Sequence, residues 1–105
     1  MYGLSHDVIK TITEACMQCP EVEKVMLYGS RAKGNYRNGS DIDITLMGEQ
    51  LTLENSVYRL MDLFDESDLP YSFDISIFKH IDNPKLVEHI ERVGKVLYEK
   101  ADSHA

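Results

Sequence analysis

The sequence predicts an α/β (α+β) domain, a small mixed β-sheet flanked by helices. Three observations carry this prediction. Apolar residues recur at helical spacing in three segments and crowd into short runs of strand length between them. Glycines and prolines punctuate the boundaries. The length, 105 residues, suits a single domain over 1–105 with one modest core.

Each element has a local reason. Ser5 caps a first helix whose apolar positions are Leu4, Val8, Ile9, Ile12, Ala15, Cys16 and Cys19, with Leu4 and Ile9 in staple positions. Pro20 stops it. Residues 21–28 turn into a first strand that ends in the apolar run Val25-Met26-Leu27-Tyr28. Ser30 to Lys33 can open a helix but is too short to complete one, and Gly34 ends it. Residues 35–40 form a loop, with Asn38-Gly39 as its sharpest turn signal.

Asp41 to Met47 is a second strand, with Asp41, Asp43 and Thr45 on one face and Ile42, Ile44 and Leu46 on the other. Thr52 caps a helix with the stripe Leu53, Val57, Leu60, Met61 and Phe64, which ends before Pro70. Phe73 to Phe78 is a third strand, with Asp74 and Ser76 on the face opposite Phe73, Ile75 and Ile77. Asn83 caps and Pro84 starts a last helix carrying Leu86, Val87, Ile90 and Val93. Gly94 ends that helix, Val96-Leu97-Tyr98 is a short final strand or extended arm, and 101–105 is a frayed tail.

Composition narrows the function. The formal net charge of −7 argues against broad nucleic-acid binding, which needs a cationic surface, and suits a basic protein partner. No apolar run approaches the ~18 residues of a membrane span. The start, Met1 to Asp7, lacks a secretory pattern, so a cytoplasmic protein with no membrane contact is expected. Cys16 and Cys19 form a lone C-x-x-C inside a helical pattern. It has no second pair to complete a zinc site and no preceding strand to make a redox motif, so both are expected reduced. His6, His80, His89 and His104 are scattered without ligand spacing and read as surface residues.

The chemistry lies in the stretch from Gly29 to Asp43. Carboxylates at i and i+2 on a strand share a face at roughly 6.6 Å and repel each other unless a cation sits between them. Oxygen ligands with open positions favour Mg²⁺ or Mn²⁺, and a pair of such metals can activate an attacking oxygen and stabilise a leaving one. Asp41 and Asp43 meet that requirement. Asp74 joins them if its strand lies beside theirs, ahead of Asp62, Asp65, Asp68 and Asp82, which fall on or near helices. Gly29 follows a buried strand and lets the backbone approach a ligand closely, while Ser30 adds a hydroxyl and the turn's amides face the phosphates. Arg31, Lys33 and Arg37 supply cations, at least one of them for phosphate. Tyr36 is a loop residue or a contact to a base. The stretch is neither a P-loop nor a calcium loop.

Taken together, Gly29-Ser30-Arg31-x-x-Gly34, then Arg37, then Ser40-Asp41-x-Asp43-Ile44 resembles the signature of the nucleotidyltransferases of the DNA polymerase beta superfamily. The short chain resembles the minimal nucleotidyltransferases (MNT), many of which pair with a small helical HEPN protein. The resemblance implies a polymerase beta-like nucleotidyltransferase fold. It implies that Gly29 and Ser30 hold a nucleoside triphosphate, with Arg31, Lys33, Arg37 and Ser40 around it. Asp41, Asp43 and Asp74 would be catalytic and would coordinate Mg²⁺, two ions in all, with Asp74 helping to activate an acceptor hydroxyl. It implies transfer of AMP from ATP to a tyrosine of a HEPN-type toxin, the chain being the antitoxin of the pair, in a hetero-oligomer or as a homodimer. Two other readings stand beside this one. One is a nucleotide-binding subunit or occluding antitoxin without catalysis. The other is transfer to a small molecule, which needs an acceptor surface from another subunit because the chain has no room for a further helical domain.

Overall fold

A computed structural model describes residues 2–37 and 39–101. Helix α1 (His6–Met17) begins at Ser5, whose side chain accepts from the Val8 amide, as an N-cap should. Strand β1 (Lys24–Tyr28) runs directly into α2 (Gly29–Lys33), a single helical turn closed by Gly34 in the left-handed conformation, φ 88°. Strand β2 (Ile42–Met47) follows, and after a π-helical turn over Leu53–Val57 comes α3 (Tyr58–Glu66). Strand β3 (Phe73–Ile77) passes through a 3₁₀ turn at Phe78–His80 into α4 (Pro84–Val93), and β4 (Lys95–Glu99) closes the order.

The sheet order is β3-β2-β1-β4. β1 is antiparallel to both β2 and β4, whereas β2 and β3 are parallel, so the sheet is mixed as the sequence predicts. Parallel strands need a long crossover, and the π turn with α3 supplies it. One face of the sheet is closed. Val25, Leu27, Ile42, Ile44, Leu46 and Ile77 meet Ile12, Ala15 and Cys16 of α1 and Val57, Leu60 and Phe64 of the α3 segment. The other face carries only α4, packed over β1, where Ile90 is buried apart from the main core. Over β2 and β3 that face is only partly covered: Thr45 is fully buried and Asp43 half-buried, while Asp74 is exposed, and the acidic residues of those strands fall on it.

Four local expectations need correction. Leu53 and Met61 are 42% and 46% exposed rather than core. The π turn widens the helix just after the Thr52 cap, so Ser56 and Val57 turn inward in place of Leu53, and the buried stripe continues as Leu60 and Phe64. β2 starts at Ile42, leaving Asp41 exposed just before it. β3 ends at Ile77, with Phe78 opening the 3₁₀ turn. The last helix buries only Ile90 fully, since a half-open face cannot cover a whole stripe.

Cys16 and Cys19 are free and buried. Burial pushes the Cys16 thiol up to about 12, so it stays protonated at neutral pH and is poorly placed for redox chemistry. Of the residues given frayed or turn roles, Asn38 and 102–105 lie outside the described residues. Among the described residues no helix is long and apolar enough to cross a membrane.

Ile44 sits at the centre of the ladder, fully buried between Leu27 and Ile75. Ile44→Ala should therefore cost about 2–5 kcal/mol of stability, read from urea unfolding with an unchanged m-value.

Candidate active site

The site is built where β1 ends and β2 begins. Their antiparallel register pairs Tyr28 with Asp43, and the parallel register pairs Asp43 with Asp74. Tyr28, Asp43 and Asp74 thus form one row across that face, running from buried at Tyr28 to exposed at Asp74, with neighbouring strands about 4.8 Å apart. Met26, Thr45 and Ser76 form the next row. Here Ser76 Oγ donates to Thr45 Oγ1 at 3.0 Å, so the floor beneath the carboxylates is a hydroxyl pair.

Asp43 is half-buried. Burial pushes its carboxyl above the ordinary range, and the Asp74 and Asp41 carboxylates push the same way, while nearby His89, were its ring protonated, would offset part of the effect. The phenol of Tyr28 is raised first by burial and further by Asp74 and Asp43, against a hydrogen bond with Ser76. Asp43 thus feels both other acids, and among the described residues no salt bridge relieves it, since the ion pairs Lys24–Glu99 and Arg92–Glu88 lie elsewhere.

Gly29 makes this packing possible. Its φ is 75°, and a Cβ at this position would overlap Asp43 Oδ2. The backbone turn that follows the strand thus lies directly against the candidate metal-binding carboxylate. Ser30 is half-buried in the same turn, and its carbonyl accepts from the amides of Gly34 and Asn35. With only five residues, α2 has little macrodipole, so any grip on phosphate comes from local amides and the Ser30 hydroxyl.

The predicted cations divide. Lys33 and Arg37 are exposed and free to turn toward an anion. Arg31 is not: it is 3% exposed. Its Nε and Nη2 donate to the Ser40 carbonyl at 3.2 and 2.9 Å, and its Nη1 donates to the Tyr2 carbonyl at 3.0 Å. The guanidinium also lies over the rings of Tyr36 and Tyr71, at 5.3 and 5.1 Å. In this arrangement Arg31 is a strut of the loop, its guanidinium committed to protein partners. Ser40 shares that work. Its carbonyl takes Arg31, and its hydroxyl accepts from the Arg37 amide at 2.8 Å. Tyr36, in turn, packs on Arg31 and Gly3.

His89 was expected on the surface. Instead its Nε2 accepts from the Gly29 amide at 3.2 Å, and its ring meets the Tyr28 ring edge-on. Its spacing from Leu86 and Val93 puts it beside the inward stripe of α4, which is the signal that could have found it.

A divalent cation fits this donor chemistry. Asp41, Asp43 and Asp74 offer only oxygens, and a cation would relieve the repulsion that raises Asp43. As the side chains stand, no three His, Cys, Asp or Glu among the described residues are gathered closely enough to hold a metal ion, so binding would draw the carboxylates inward.

A raised carboxyl costs stability whenever it is ionised. The folded state keeps its proton to higher pH than the unfolded chain, so the cost is absent well below the ordinary value of 3.8 and complete at neutral pH. In chelator-treated protein, Asp43→Asn should raise Tm at pH 7, and the gain should shrink as pH falls into the carboxylate range. A gain that is the same at every pH would point to packing instead.

Residues 10–103 match the family described as Polymerase beta, Nucleotidyltransferase. The chain is 34% identical over 68 residues to the "Probable protein adenylyltransferase MntA" of Haemophilus influenzae, a match covering 65% of this chain. It spans only 57% of that relative's length. A solved toxin–antitoxin structure with AMP-PNP superposes with a TM-score of 0.68 at 20% identity, covering 88% of this chain and 73% of its own. A complex of tri-AMPylated Shewanella oneidensis HEPN toxin with MNT antitoxin gives 0.56 at 19% identity, over 90% of this chain and 68% of the other. These structures share the fold. With nearly its whole length matched, the chain belongs to the polymerase beta family of nucleotidyltransferases.

Proposed function

We propose that this chain transfers AMP from ATP to a tyrosine hydroxyl of a helical HEPN-type toxin, acting as the antitoxin of the pair in the cytoplasm. The observation that carries the reading is the register that sets half-buried Asp43 beside exposed Asp74 on one sheet face, against the Gly29 turn. Family membership supports nucleotidyl transfer. Support for the acceptor comes from relatives. One is named as a protein adenylyltransferase, and one shares its fold with a complex of AMPylated HEPN toxin and MNT antitoxin.

In this reading the turn at Gly29 and Ser30 holds the triphosphate, with Lys33 and Arg37 able to reach it from the exposed loop. Asp41, Asp43 and Asp74 would hold Mg²⁺, two ions in all. When bound, the ions neutralise phosphate charge and lower the pKa of the attacking hydroxyl. The acceptor oxygen forms a bond to the α-phosphorus, the bond from that phosphorus to the α,β-bridging oxygen breaks, and pyrophosphate leaves. Asp74, exposed at the outer strand, takes up the acceptor's proton. The exposed edge at Asp74 suits a macromolecular acceptor, because a protein surface can close over what this chain leaves open there.

Calorimetry should show ATP binding that depends on Mg²⁺; equal binding in chelator would sink the metal reading. With the HEPN-type partner purified alongside, Asp43→Asn should reduce transfer of labelled AMP to background. Asp74→Asn should reduce it on the order of 10²–10⁴-fold, the loss expected for a general base. Both variants should still co-elute with the partner. If they neutralise the toxic partner in cells as well as the parent does, the protein acts by occlusion.

A further inference from the structure

We propose that His89 is a positioning residue for the nucleotide turn: from α4 it fixes the peptide between Tyr28 and Gly29, and so sets the geometry in which the turn meets phosphate. Its functional consequence rests on the nucleotidyl-transfer reading above; the hydrogen bond itself does not.

The peptide at Gly29 is the joint of the site. Upstream of it, the Tyr28 side chain lies on the row of Asp43 and Asp74. Downstream, Ser30 begins the turn. A residue with φ 75° and no Cβ has much freedom in isolation, and glycine has the most to lose on ordering. Something outside the turn must therefore hold it. The Asp43 carboxylate limits one side sterically. Among the described residues, the side chain that accepts from the Gly29 amide is His89, through Nε2, 60 residues further along the chain. The same imidazole lies edge-on to Tyr28, with centroids 6.2 Å apart and planes at 80°. One side chain thus grips both residues that flank the joint. Because Nε2 accepts, the proton of the neutral ring sits on Nδ1.

α4 packs on β1 and α2 and on neither β2 nor β3 to a comparable extent. Its hold on the site therefore centres on this bond and on the ring contact with Tyr28. The Gly29 amide is occupied in this arrangement, which leaves the phosphate grip to the Ser30 hydroxyl and the amides beyond it.

Two substitutions separate the bond from mere packing. His89→Phe keeps an aromatic ring against Tyr28 and removes the acceptor. His89→Gln removes the ring and places Oε1 the same number of bonds from Cα as Nε2. Amide hydrogen exchange at Gly29 in the full chain without nucleotide should stay slow in the parent and in His89→Gln and speed up about five- to tenfold in His89→Phe, the span of a typical net hydrogen bond. Calorimetry with ATP and Mg²⁺ should follow the same ranking, with affinity near the parent's for Gln and about five- to tenfold weaker for Phe. Thermal unfolding should follow the opposite ranking, Phe being the more stable, because the ring packing is retained. The proposal is overturned if Phe matches the parent in exchange, or if Gln loses as much as Phe. Should the parent itself fail to bind ATP, the nucleotidyl-transfer reading fails, and the exchange ranking still decides the bond.

Discussion

Strands β1 and β2 meet on a contact that only glycine permits. Gly29 leaves the end of β1 in a left-handed conformation and rests on the carboxylate of Asp43, its neighbour's partner in the ladder. Any side chain here would push the two strands apart or turn the acid away. Everything else in the site is placed relative to this joint. The Asp43 register fixes Asp74, the following turn fixes Ser30, and the fold of the 35–40 loop brings Asp41 back to the start of β2.

A site of like charges also has to be held against its own repulsion. The structure does this with apolar burial on one face of the sheet and little on the other. Ile42, Ile44 and Leu46 are fully buried between β1 and β3, and these alternate with Asp43 and Thr45 along the same strand. The hydrophobic side anchors the strand, and the acidic side inherits its position. The cost of burying Asp43, and the repulsion from its neighbours that adds to it, are thus borne by the core beneath.

Much of this was legible in the sequence because the deciding signals are local. Ser5, Thr52 and Asn83 cap the elements they precede, and Gly34 ends α2, since each acts within a turn of its own position. Alternation placed Asp43 and Asp74 on faces away from the core. What it could not give was the partner of each strand, and the parallel β2–β3 pairing is what makes those two acids neighbours. The misses have the same origin. Arg31 reads as a phosphate-binding cation because its position in the motif is visible, while its partners, Tyr2 and Tyr71, lie far off in the chain. Leu53 and Met61 fit a 3.6-residue stripe that the π turn breaks. His89 is one residue from a buried isoleucine, and nothing in its own surroundings points to a glycine 60 positions earlier.

The outer position of β3 has a further consequence. It is paired on one side only, and successive residues point to opposite faces, so a slip of one residue against β2 would carry Asp74 into the core and turn Phe73 and Ile75 toward water. The stack of Phe73 on Phe64, with ring centroids 4.2 Å apart, opposes such a slip from within α3. Strand register and the convergence of the two acids are therefore one variable. A chain that misaligns its outer parallel strand does not make a weakened site; it makes none, and it exposes an aromatic edge at the same time. Quality control that recognises exposed apolar strand edges would remove just those copies that lack the paired carboxylates.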